Sequence, residues 1–248
     1  MKASTRSRIC WGIFSASCCV FLLILTFIYF QMTGNFQPEG DRVSAARASV
    51  SAELGPHFGK PVFIRIIKED RQLELWLQEP DSGWHILKVY NIAGMSGKLG
   101  PKKAEGDKQA PEGFYRVYPR SMNPRSKFHL AFNIGYPNAY DRHLGRTGSA
   151  IMVHGGWLSV GCFAMTDARI NEIYTLVNES FKAGIEYVPV QIYPFRMTAA
   201  RMQEEAGSPH AEFWQHLLPG WQHTEDSHSP YPDTDCHQPD TAHCGYKS

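Results

Sequence analysis

An α+β fold, mainly β, is predicted for this chain by three features. Leu73, Leu75 and Leu77 alternate with Glu74, Trp76 and Gln78, the pattern of a half-buried strand; a second strand-like run returns across the turn Pro80-Asp81-Ser82-Gly83; and one long amphipathic helix follows Cys162, which stands alone in the body. An apolar N-terminal helix is expected in addition. Residues 9–30 carry no charge, and at about 1.5 Å per residue they reach roughly 33 Å, enough for a bilayer core of roughly 30 Å. Lys2, Arg6 and Arg8 precede the run, which sets a cytoplasmic tip and a body on the opposite side, tied to the inner membrane. A cleaved signal peptide is the rival reading. Against it, the run exceeds the usual apolar core, and Gln31-Met32-Thr33-Gly34 is a poor small-x-small cleavage site.

After this anchor (residues 1–30), residues 31–59 read as a tether with a weak, Ala- and Ser-rich helical stretch at 42–54. The folded body is expected from 60 to 220. Residues 62–67 are a dense β-branched and aromatic strand, and 73–78 and 84–93 form a hairpin. Residues 98–111, rich in Gly, Lys and Pro, read as a surface loop. Further strands are expected at 114–118, 127–133, 150–154 and 186–194. Thr166 or Asp167 can cap the long helix, whose apolar stripe is Ile170, Ile173, Leu176, Val177 and Phe181, and Gly184 ends it. Helical stretches at 199–206 and 211–218 close the body. Residues 222–248 lack Leu, Ile, Val, Met, Phe and Trp, so 221–248 is expected to be a disordered tail.

Composition narrows the function. The chain has 25 Lys+Arg against 24 Asp+Glu, and without the three N-terminal cations the remainder is slightly acidic. Such a balance leaves no electrostatic footprint for nucleic acid. There is no phosphate-loop GxxxxGK[ST] and no HExxH, and Gly94, Gly97 and Gly100 do not fit GxGxxG. Cys10, Cys18 and Cys19 belong to the apolar run. Cys236 and Cys244 can close a small disulfide loop in an oxidising space. Their neighbours His237 and His243 keep a metal reading open, although the spacing fits no standard zinc pattern. No cofactor and no metal are expected.

Chemistry concentrates in residues 151–165. A strand delivers His154 to a glycine turn, and eight residues later Cys162 follows Gly161 just ahead of the long helix. Nucleophilic catalysis by a thiol needs a base within reach and donors for the developing oxyanion. An imidazole raises the thiolate fraction of a group whose free pKa is about 8.5. Gly155, Gly156 and Gly161 leave the backbone open to a substrate, and amides around Gly161–Cys162 can form an oxyanion hole. A buried structural cysteine in a tight turn is the alternative. The residues alone support a thiol-dependent acyl-transfer site on a β-rich scaffold.

His154-Gly155 followed by Ser159-x-Gly161-Cys162 resembles the active-site motif of the YkuD-type L,D-transpeptidases, cysteine enzymes of the bacterial cell wall. The short His-to-Cys spacing and the Gly-Cys-aromatic-Ala-Met-Thr-Asp continuation at 161–167 resemble the compact YafK-like branch. Segments 62–66, 73–76, 110–115 and 132–142 agree with it. The resemblance implies a YkuD-like catalytic domain in which Cys162 attacks a diaminopimelate carbonyl of a peptidoglycan stem peptide to give a thioester. It makes His154 the base, oriented by a backbone carbonyl. An amine of another stem or of a wall-linked lipoprotein then takes the acyl group; some relatives use water and cleave such links. A periplasmic body on an inner-membrane anchor agrees with that work.

Two positions depart from the wider family, which has His before Gly-Cys and Arg two residues after Cys; here they are Val160 and Ala164. Arginine is a natural carboxylate binder, so Arg142 and Arg146 are candidates to replace the missing one. Tyr136, Asn138 and Trp157 are candidates to line the groove, with core or loop packing as the alternative. Ser159 is expected near the oxyanion or as a turn residue, and Asp167 as a helix cap. Transpeptidase and hydrolase readings both stand, beside a non-enzymatic wall-binding module and a metal-binding tail.

Overall fold

A computed structural model describes residues 39–232. The expected membrane segment and the Cys236/Cys244 pair lie outside the described residues. Among the described residues no helix is long and apolar enough to cross a membrane.

The fold is α+β. Helix α1 (Glu39–Leu54) leads into β1 (Val62–Ile67), β2 (Gln72–Glu79) and β3 (Gly83–Asn91), followed by β4 (Gly113–Val117). Then come β5 (Met122–Asn123), β6 (Ala131–Asn133), the short helix α2 (Ala139–His143), β7 (Met152–His154) and β8 (Phe163–Ala164). Helix α3 (Asp167–Lys182), β9 (Val188–Tyr193), α4 (Ala199–Glu204) and α5 (Ala211–Ser227) complete the chain. Five strands form one sheet in the order β3-β2-β1-β9-β4, and four form a second in the order β5-β6-β7-β8. In the first, β1 and β9 run parallel and the other pairs antiparallel. In the second, β7 and β8 are the parallel pair.

The amphipathic stripe read from sequence explains how the sheets are joined. Helix α3 lies against β1, β6 and β7, and buries Ile170, Ile173, Tyr174, Leu176 and Val177. Thr166 caps it by accepting the amide of Arg169, and Gly184 follows its end with φ +95°. The hairpin β2–β3 forms as expected across residues 80–82.

Four expectations change. Helix α1 is part of the body rather than a tether, because Ala46, Val50 and Leu54 are buried in the main core. Strand β2 is buried on both faces, not half-buried. Its polar positions are covered by α5: Arg65 pairs with Glu74 at 2.7 Å and with Glu225 at 2.6 Å, and its guanidinium lies between the rings of Trp76 and Trp221. Helix α5 therefore runs to Ser227, past the expected start of the tail, with Trp221 and Thr224 buried and Pro219 inside it. A proline costs an interior helix one hydrogen bond; the aromatic residues Phe213, Trp214 and Trp221 packing beneath outweigh it. The strand expected at 127–133 is short, while β5, β8 and α2 had no sequence period long enough to announce them.

Candidate active site

Strand register brings the candidate pair together. Val153 of β7 lies opposite Phe163 of β8, and His154 opposite Ala164. Cys162, one residue before β8, therefore sits beside Met152, and the Met152 amide donates to its Sγ at 3.4 Å. Alternate residues of a strand share a face, so His154 lies on the same face of β7 as Met152, the residue beside Cys162. The Cys162 thiol donates to the carbonyl of Ala150 at 3.6 Å. Burial pushes this thiol up, partly opposed by the Met152 amide and the Lys102 charge.

The imidazole is held without a carboxylate. Its Nδ1 lies 2.6 Å from the Gly155 carbonyl oxygen, which can only accept. The Nδ1–H tautomer follows, and Nε2 keeps its lone pair. Burial lowers the His154 pKa, against the smaller opposite effect of the Gly155 bond. Phe128 packs on the ring at 4.8 Å between centroids. Thiol and imidazole are thus both favoured in their neutral forms.

The glycines are steric necessities. A Cβ at Gly155 would lie 2.6 Å from Asp167 Oδ1 and 2.7 Å from the Phe128 carbonyl oxygen. Asp167 is the first residue of α3 rather than its cap, and its carboxylate accepts the Gly156 amide at 2.9 Å, pinning the turn after His154. Gly161 has φ +80°, a conformation that costs other residues strain. Its amide, expected to face an oxyanion, instead donates to Ser96 Oγ at 2.7 Å.

Ser96 lies two residues before the loop expected at 98–111 and ties that loop to the turn ahead of Cys162. Its hydroxyl donates to the Lys108 carbonyl at 2.6 Å. Lys68, buried, donates to the carbonyls of Gly100 and Ala110 and to Glu112; Glu112 also accepts the Gly100 amide. Farther along, Lys102 pairs with Asp107 at 2.7 Å.

The remaining candidates separate. Ser159 Oγ is buried and has no hydrogen-bond partner, an expensive state for a hydroxyl. Trp157, Leu158 and Val160 stand out from the turn, 72, 83 and 69 % exposed. Arg146 is structural: it pairs with buried Asp141 at 2.7 Å and stacks on Phe213. Asn138 caps α2 and donates to the Phe114 carbonyl, and Tyr136 donates to the carbonyls of Lys102 and Thr147. Arg142, Tyr136 and Asn138 border a cavity of about 690 Å³ beside β7, together with Arg116 and Arg120. Sequence reasoning passed over Ser96, Arg116 and Arg120. Among the described residues no group of three or more His, Cys, Asp or Glu side chains can hold a metal.

Comparison with known proteins gives the family. The family model described as the YkuD L,D-transpeptidase catalytic domain matches residues 63–192. A protein of Escherichia coli, provisionally named L,D-transpeptidase YafK in strains K12 and O157:H7, is 43% identical over 188 residues, 75% of this chain and 76% of its own. Among solved structures, a mutant of the helical cell shape determining protein Pgp2 from Campylobacter jejuni aligns with TM-score 0.44 and 22% identity, over 77% of this chain and 68% of that one.

Proposed function

Because the chain belongs to the YkuD L,D-transpeptidase family, we propose that it is a peptidoglycan acyltransferase with Cys162 as nucleophile and His154 as base. The observation that supports this reading is a thiol hydrogen-bonded to the Met152 amide, two residues along β7 from an imidazole oriented by the Gly155 carbonyl. His154 Nε2 takes the Sγ proton as sulfur attacks the diaminopimelate carbonyl of a stem peptide. The resulting oxyanion is met by the Cys162 amide and by the Ser159 hydroxyl, whose unpaired, buried state suits a partner that arrives with the reaction. Collapse breaks the C–N bond, and the imidazolium returns its proton to the leaving amine. The thioester then passes to an acceptor amine, which gives its proton to His154 as the thiolate departs.

A starting pair that is neutral suits this sequence, since the proton moves only when substrate is present. The acceptor is an amine of a second stem or of a wall-linked lipoprotein, and the body works in the periplasm.

The test compares the full chain with Cys162→Ala on wall fragments that carry tetrapeptide stems and lipoprotein-linked stems, with products read by mass spectrometry. Expected are diaminopimelate–diaminopimelate links or lipoprotein attachments, absent with the variant. Release of linked peptide with incorporation of solvent oxygen would instead assign a hydrolase using the same pair. No Cys162-dependent product would overturn the reading.

A further inference from the structure

We infer that the cavity beside β7 is a binding site for the carboxylates of the donor peptide, held by Arg116, Arg120 and Arg142. This rests on the acyl-transfer reading, and it names residues from three separate elements: β4, the turn at 119–121 and α2. Three observations converge.

The cavity borders the strand that carries His154. Met152 lines it, and Met152 shares its strand face with His154; Asn133, directly opposite Met152 in β6, lines it as well. One residue separates it from the nucleophile, since the Met152 amide donates to Cys162 Sγ. A peptide seated there lies next to the strand position bonded to the thiol.

The charge of the lining has one sign. Three arginines and no Asp or Glu are among the described residues that border it. Guanidinium forks match carboxylates in a two-point geometry that lysine cannot reproduce. About 690 Å³ falls within the usual range for a site that takes a short peptide or similar ligand, roughly 300–1,000 Å³.

The forks are also preset. The Arg116 guanidinium lies 4.3 Å from the centroid of the Tyr187 ring, and that of Arg120 lies 4.5 Å from the Tyr118 ring. Arg142 donates to the Pro137 carbonyl. Side chains already stacked or bonded lose less freedom when a ligand arrives. The site stands in for the arginine absent at position 164, by a different route through the fold.

The experiment measures binding by calorimetry, on full-length protein carrying Cys162→Ala so that the ligand is not consumed. The probes are a synthetic stem tetrapeptide with free carboxylates and the same peptide with those carboxylates converted to amides. Arg120 and Arg142 are exposed, so R120Q and R142Q leave the core untouched, which a melting curve verifies. Each substitution is expected to weaken binding of the acidic peptide about tenfold, and the amide probe to bind weakly to all forms with little difference among them. Equal losses for both probes, unchanged affinity in the variants, or no binding of the acidic peptide would overturn the assignment. Acyl transfer itself is followed separately, by the intact mass of protein with Cys162 restored. A thioester there alongside failed binding discriminates loss of this site from loss of the acyl-transfer reading.

Discussion

The amide of Gly161 and the hydroxyl of Ser96 meet at 2.7 Å across 65 residues of chain. Ser96 donates onward to Lys108, so this bond ties the turn that carries Cys162 to the loop at 98–111. The contact commits the Gly161 amide to the scaffold and leaves the oxyanion to other donors.

Ser96→Ala follows from it. Removing one neutral hydrogen bond costs about 1 kcal/mol of stability. A loosened nucleophile turn lowers kcat roughly tenfold with KM little changed, the signature of lost positioning. Steady-state kinetics with a melting curve check this. A rise in kcat would mean that Ser96 had been occupying an oxyanion donor.

Gly155→Ala is predicted to be worse for the site than for the fold. The added methyl meets Asp167 Oδ1 and the Phe128 carbonyl at under 3 Å. Overpacking of this kind costs about 1–3 kcal/mol, and the backbone shift that relieves it moves the carbonyl holding His154 Nδ1. Carried into the transition state, that cost lowers activity about 5- to 140-fold by the roughly tenfold-per-1.4 kcal/mol relation, while the protein still folds cooperatively. Full activity in the variant would contradict the proposed role of the Gly155 carbonyl.

Lys68→Met tests what holds the loop. Lys68 and Glu112 form a buried pair at 2.8 Å, and Met would leave Glu112 charged and unpaired. Breaking a buried pair from one side costs about 3–5 kcal/mol. Denaturant unfolding should show a lower midpoint at unchanged slope. Protease cleavage should then concentrate within residues 98–111, because the same ammonium holds the Gly100 and Ala110 carbonyls. A midpoint equal to that of the natural chain would remove the argument.

The pH profile carries the sign of the His154 shift. In the proposed mechanism neutral imidazole is the active form, and burial lowers its pKa below the ordinary 6.5. As pH falls, kcat/KM should therefore hold through 6.5 and decline only below it, since this limb reports the base of the free enzyme. An acid limb centred above 6.5 would indicate an imidazolium stabilised by a thiolate, against the raised Cys162 thiol.

Much of the candidate site was legible because it is local in sequence. His154, Gly155, Gly161 and Cys162 fall within nine consecutive positions, and glycine spacing beside a lone cysteine marks a turn built for access. The long helix and the hairpin were equally legible, since each shows its own period over enough residues to be counted. What escaped was non-local. Arg142 and Arg146 look alike in sequence, four residues apart, yet one borders the cavity and the other is spent on Asp141. Glu74 and Trp76 scan as a solvent face until α5 covers them through Arg65.

By itself, then, the sequence determined the elements with strong periods and the short segment that holds the candidate pair, because backbone preference and side-chain alternation act between near neighbours. Only tertiary structure decided which polar groups are consumed by the scaffold and which border open space. That decision depends on desolvation and hydrogen bonding between elements dozens of residues apart: Ser96 with Gly161, Lys68 with Glu112, Asp167 with Gly156. A buried donor or acceptor must find its partner wherever the chain folds back, and no local pattern records where that will be.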